Sequence, residues 1–171
     1  AQPLICEARV LTSPISDGDL AVMFRELVRL NGIDQGMIYL QVTRGNPGDR
    51  SFLFPPADLP GTVVAFTQNI PNLADAPAAK TGFKIITIPD LRWSRVDIKT
   101  VQLLYPSMGK MAAKKAGVDD SWFTDEAGAV TEGTSNNAYI VKGSRIITRA
   151  LGTDILHGST RAAVLPGADL V

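Results

Sequence analysis

The chain has 171 residues, 45% hydrophobic and 20% charged, with 17 basic side chains balancing 17 acidic ones. That composition is ordinary for a protein with a real core, and the zero net charge gives no basic excess for nucleic acid or a membrane surface. Cys6 is the only cysteine and His157 the only histidine, which excludes an intrachain disulfide, a cysteine metal cluster and a histidine-based zinc site within these residues. No run is long and apolar enough for a membrane helix and no signal-peptide pattern is present, so a cytoplasmic setting is expected.

In chain order, Ala1–Leu11 reads as extended or irregular. Ser16 or Asp17 caps a helix to about Asn31, with Leu20, Val22, Met23, Leu27, Val28 and Leu30 mostly on one face and Asn31–Gly32 closing it. Met37–Thr43 alternates as a strand, Arg44–Gly48 is turn chemistry, and Thr62–Thr67 is a second strand. Its near-continuous apolar character implies burial on both faces. Gln68–Thr81, with Pro71 and Pro77 and no periodicity, reads either as a linker between two α/β units or as a long loop inside one.

Phe83–Ile88 is a third strand. Leu103–Gly117 reads as a helix whose apolar side is Met108, Met111, Ala112 and Ala116, with Pro106 in its first turn and Gly117 just past its end. Ser121–Thr124, Ala129–Thr131, Ala138–Val141 and Arg145–Thr148 are short strands, and a helix-like run covers Arg161–Leu165.

Three stretches carry chemistry. Lys99 stands between apolar neighbours Ile98 and Val101, so partial burial is expected. Burial favours the neutral amine, which attacks carbonyls and forms Schiff bases. The commoner arrangement is a lysine whose stem covers core while its head reaches water. Val130–Ala138 (VTEGTSNNA) sets a glutamate before small hydroxyl residues and two asparagines, either along a pocket rim or as a plain polar turn. Leu156–Arg161 (LHGSTR) steps through Gly-Ser-Thr into a helix, either a phosphate site or an ordinary helix start.

Jointly, a Schiff-base lysine, a carboxylate for a pyridinium proton and a helix start for a phosphate describe a pyridoxal phosphate (PLP) site. From about Pro14 to Leu165 the chain resembles the class IV (fold-type IV) PLP-dependent aminotransferases, and within them the D-amino-acid (D-alanine) group. The matching motifs are Ile38–Gly45, Arg92–Leu104, Val130–Asn137 and Ile155–Arg161, in the family's order.

The resemblance implies an α/β (α+β) fold built as part of an N-terminal α/β sandwich (1–71) and part of a C-terminal PLP-binding pseudo-barrel (72–171). It implies Lys99 as the Schiff-base and proton-shuttling residue and Glu132 at the pyridinium nitrogen. Ser135 and Asn136 lie beside the cofactor, Leu156 packs on the ring, Ser159 and Thr160 hold the phosphate, and Arg50 binds the substrate carboxylate. The implied reaction exchanges an amino group between a D-amino acid such as D-alanine and a 2-oxo acid, in a homodimer. Branched-chain or amine transamination, or aminodeoxychorismate lyase chemistry, would use the same fold; an inactive binding relative would keep the motifs alone. Two departures stand out. The D-amino-acid enzymes place a histidine two residues after the carboxylate-binding arginine, where this chain has Phe52. Family chains are also longer, with N-terminal strands and a C-terminal hydroxyl motif that have no counterpart here, so these residues are expected to belong to a longer chain.

Overall fold

The structure is a computed structural model and describes residues 13–165. The reading for Ala1–Leu11 therefore lies outside the described residues. The chain divides into two compact units with the boundary between Lys80 and Thr81.

In the first unit, helix α1 (Asp17–Asn31) begins where Ser16 Oγ accepts the amide of Asp19 at 3.1 Å. It ends at Gly32, whose left-handed φ of 58° lets its amide turn back onto the last carbonyls. Strands β1 (Gly36–Thr43) and β2 (Thr62–Asn69) pair antiparallel from Gly36–Asn69 to Thr43–Thr62. One face carries Ile38, Leu40, Val42, Val63 and Ala65, all half-buried, and α1 packs against β2. The other face carries Met37, Tyr39, Val64 and Phe66, all exposed, with the Tyr39 and Phe66 rings stacked at 4.9 Å. Burial of β2 on both faces is thus corrected to alternation, as an antiparallel pair with one covered face requires. A 3₁₀ turn (Leu73–Asp75) and the one-turn helix α2 (Ala78–Thr81) follow.

The second unit is built on a three-stranded sheet in the order β3-β4-β5 (Ile85–Pro89, Asp120–Thr124, Val130–Gly133). β3 and β4 run parallel, joined by helix α3 (Leu104–Lys115), and β5 returns antiparallel to β4. Pro89 can end β3 because this is an edge strand with no ladder bond to supply there. β6 (Ile140–Lys142) and β7 (Arg145–Ile147) form a hairpin turned by Gly143 at φ 63°. The short helix α4 (Ser159–Val164) closes the described chain, starting at Ser159 rather than at Arg161.

The contact face of α3 differs from the expected one. Met108, Met111 and Ala116 are exposed, whereas Gly109 and Ala113 are buried against the sheet. Small residues win because the backbone comes close. A Cβ on Gly109 would meet Thr134 Cγ2 at 2.9 Å and Phe123 Cε1 at 3.2 Å. The buried Ser121 hydroxyl donates to the Gly109 carbonyl at 2.7 Å, tying α3 to β4. Gly109→Val is expected to destabilise the protein by about 1–3 kcal/mol through overpacking, read as a lower denaturant midpoint at unchanged slope. An unchanged midpoint would mean that helix and sheet can separate freely.

Candidate active site

The site grows from the C-terminal end of β3. The Asp90 amide continues the ladder to the Thr124 carbonyl at 2.8 Å, so Asp90 leaves the strand facing β5. There Thr131 Oγ1 donates to Asp90 Oδ2 at 2.7 Å. Two residues on, Arg92 folds back and clasps Asp90 through Nε at 2.8 Å and Nη2 at 2.6 Å. Its Nη1 donates to Glu132 Oε1, and the guanidinium lies 4.7 Å over the ring of the fully buried Phe123. Burial alone would push the Asp90 carboxyl up. The hydrogen bonds and charge of Arg92, with the Thr131 hydroxyl, outweigh it and hold the carboxyl below its usual value.

Glu132 is 5% exposed, on β5. Its second oxygen accepts Asn137 Nδ2 and the Leu156 amide, both at 3.0 Å. Asn137 reaches it because the chain reverses through Thr134–Ser135, with Gly133 donating to the Asn136 carbonyl at 2.8 Å and Glu132 bridging Asn137. Asn137 also donates to the Leu156 carbonyl at 2.9 Å, so one amide ties the β5 turn to the 155–158 segment. Gly158 makes this approach possible: a Cβ there would lie 2.3 Å from Asn137 Oδ1.

Thr134 and Asn136 turn toward Asp120, donating to Oδ1 at 2.7 Å and Oδ2 at 3.4 Å. Burial would raise the Asp120 carboxyl, but the Thr134 hydroxyl, Lys110 at 3.0 Å and the Ser121 amide together lower it. Ser135 is exposed at the tip of the turn.

Lys99 is exposed, in irregular chain between β3 and α3, which corrects the expected partial burial. Its apolar neighbour Val101 is itself 68% exposed, so no core closes over the amine. The loop before it is anchored: the amides of Val96 and Asp97 donate to the Thr153 carbonyl at 2.8 and 3.3 Å. The 153–156 segment thus holds both the Lys99 loop and, through Leu156, the Glu132 carboxylate. Ser159 and Thr160 open α4 as exposed hydroxyls, with no side-chain cap at Gly158. Arg50 belongs to the other unit, exposed, with its guanidinium 4.6 Å over Phe52.

The resemblance gives roles to Glu132 and Leu156, which join this network, and to Asn136, which is exposed and donates toward Asp120 instead; it gives none to Arg92, Asp90, Thr131 or Asn137, which complete the network. The signal the sequence does hold is the second asparagine of the NN pair and an Asp-x-Arg step directly after a strand.

Residues 4–169 match the amino-transferase class IV family. A D-alanine aminotransferase of Bacillus licheniformis is 38% identical over 151 residues, covering 88% of this chain and 51% of that protein. The chain spans about half the length of the curated relatives it matches. Among solved structures, a Legionella pneumophila protein assigned as a 4-amino-4-deoxychorismate lyase superposes with a TM-score of 0.79 at 21% identity, over 94% of this chain and 57% of that one. The Escherichia coli branched-chain amino acid aminotransferase superposes with a TM-score of 0.77 at 18% identity, over 98% and 58%. At these identities the structures speak for the fold, and it is the one expected from the four motifs. The match over nearly its whole length makes this chain a member of the class IV amino-transferase family.

Proposed function

We propose that the protein is a PLP-dependent aminotransferase that exchanges an amino group between a D-amino acid such as D-alanine and a 2-oxo acid. Family membership and the D-alanine aminotransferase relatives support the reaction class. The observation that carries the reading is the state of Glu132. An ionised carboxylate offers about four acceptor positions, and three donors occupy Glu132. One position on a buried, oriented anion is left, which suits a protonated ring nitrogen. The donor set at α4 suits the phosphate, with two exposed hydroxyls and helix-start amides that no side chain caps.

When bound, PLP supplies an electron sink for the pair left on the substrate Cα. Lys99 Nζ is the attachment point and the base that takes the Cα proton and returns it. Glu132 holds the proton on the ring nitrogen by ion pairing and hydrogen bonding. Asn137 and the Leu156 amide keep its carboxylate from rotating. Ser135 and Asn136 would border the cofactor, the Leu156 side chain would pack on its ring, and Ser159 and Thr160 would take its phosphate. The second unit, from Thr81, would form the cofactor-binding domain, and Arg50 would bind the substrate carboxylate at the subunit boundary of a dimer. Among the described residues no helix is long and apolar enough to cross a membrane; the proposed setting is the cytoplasm.

Visible absorption that disappears on borohydride reduction tests the cofactor, and a colourless protein that takes up no PLP would refute it. A donor screen with both enantiomers tests the stereopreference, on which Phe52 bears directly. Turnover of L-branched-chain donors alone would replace the D-amino-acid reading by the branched-chain one.

We further propose a homodimer. Phe52 and Phe54 are 90% and 71% exposed, a large apolar content for a free loop. Covering each fully would contribute roughly 1.5–3 kcal/mol. Phe54→Asp is expected to weaken a dimer seen by sedimentation and to lower activity with it. A fully active wild-type monomer would sink the assembly.

A further inference from the structure

Arg92 enters the reading above only as one of the donors on Glu132, yet four of its five guanidinium N–H groups are committed at the site. Its side chain is 11% exposed, and each of its three nitrogens has a partner: Asp90 at Nε and Nη2, Glu132 at Nη1, and the Asp154 carbonyl at 3.4 Å from Nη2. Phe123 bounds it on one face. Its backbone amide also donates to Asp90 Oδ1 at 3.2 Å, which holds the start of the side chain. An arginine so placed cannot swing, and neither can what it binds.

We infer that Arg92 is a positioning residue for Glu132: it fixes the orientation of that carboxylate, so that the acceptor position left on it serves the PLP ring nitrogen. The inference rests on the cofactor reading above. The single guanidinium lies between two carboxylates that are 12% and 6% exposed. Without it, Glu132 Oε1 would lose its donor and the carboxylate would be held at its other oxygen alone, free to turn away from the ring position. Lysine cannot replace the arrangement, because an ammonium is a point charge without the planar fork that reaches both partners at once. Asp90 and Thr131 then have a defined purpose. They hold the arginine from behind, so that Nη1 is the edge presented to Glu132.

A purely structural tie would lower stability without changing the ring. The test therefore reads the ring itself. The full-length protein is loaded with PLP carrying ¹⁵N at the ring nitrogen, for wild type, Arg92→Met and Arg92→Lys. Borohydride reduction and peptide mapping confirm the label on Lys99, and circular dichroism confirms folding. The expected result is a wild-type ¹⁵N resonance in the pyridinium range. Arg92→Met should shift it toward unprotonated pyridine with the label still on Lys99, and Arg92→Lys should fall between. Should Arg92→Met fail to fold, the Arg92→Lys resonance decides. An unchanged resonance in the folded variant overturns the inference alone. A wild type that takes no label on Lys99 overturns the inference together with the cofactor reading.

Discussion

Lys99→Ala is expected to yield a folded protein that no longer holds PLP covalently and turns over at least about 10²–10⁴-fold more slowly, the usual contribution of one placed proton-transfer group. Loss of the attachment amine slows it further. The fold should be unaffected, because Lys99 is exposed and lies outside every strand and helix. Measured as single-turnover rate beside thermal melting, the variant should lose the first and keep the second. A variant with near wild-type rates would move the chemistry to another lysine. Lys84, Lys110 and Lys114 are the alternatives to map, and Lys110 is already paired with Asp120 at 3.0 Å.

Glu132→Gln is expected to slow removal of the Cα proton by about 10²–10³-fold, the cost of losing one aimed electrostatic group. The structure adds a second consequence. Three donors converge on Glu132, and an amide has only one oxygen to offer them. Whichever way the substituted side chain turned, its N–H₂ would face either Arg92 or the Asn137–Leu156 pair. The variant should therefore also bind PLP more weakly and melt lower, with the loss falling on buried, unpaired donors. Single-turnover rates and PLP titration together check this. A variant with unchanged rate and affinity would leave Glu132 as a structural acceptor only.

Several helix ends and the turn after Glu132 were legible before the structure because their parts are local. Ser16 marks a helix start by its side-chain hydroxyl, Gly32 and Gly117 mark helix ends by their backbone freedom, and Gly117 does take a positive φ of 72°. The glutamate, the asparagines and the Gly-Ser-Thr step sit in short contiguous runs whose residue types already suggest their chemistry. Arg92 was not legible. Its partner Glu132 is 40 residues away, and the Asp-x-Arg step after β3 hints at the clasp with Asp90 without naming that partner. The face of α3 misled for a related reason. Hydrophobicity pointed to Met108 and Met111, but the closeness of Phe123, Ile88 and Thr134 leaves room only for Gly109. Lys99 misled in the opposite sense. Apolar neighbours promised burial, but Val101, Leu103 and Leu104 are themselves exposed, so the stretch forms no core of its own.

One lysine, Lys99, is proposed to carry the cofactor beside the Glu132 carboxylate. The most direct test is to reduce the PLP-loaded full-length protein with borohydride, digest it and locate the pyridoxyl group by mass spectrometry. The expected result is a single modified peptide containing Lys99, absent from the Lys99→Ala variant. A pyridoxyl group found instead on Lys84, Lys110 or Lys114 would contradict it.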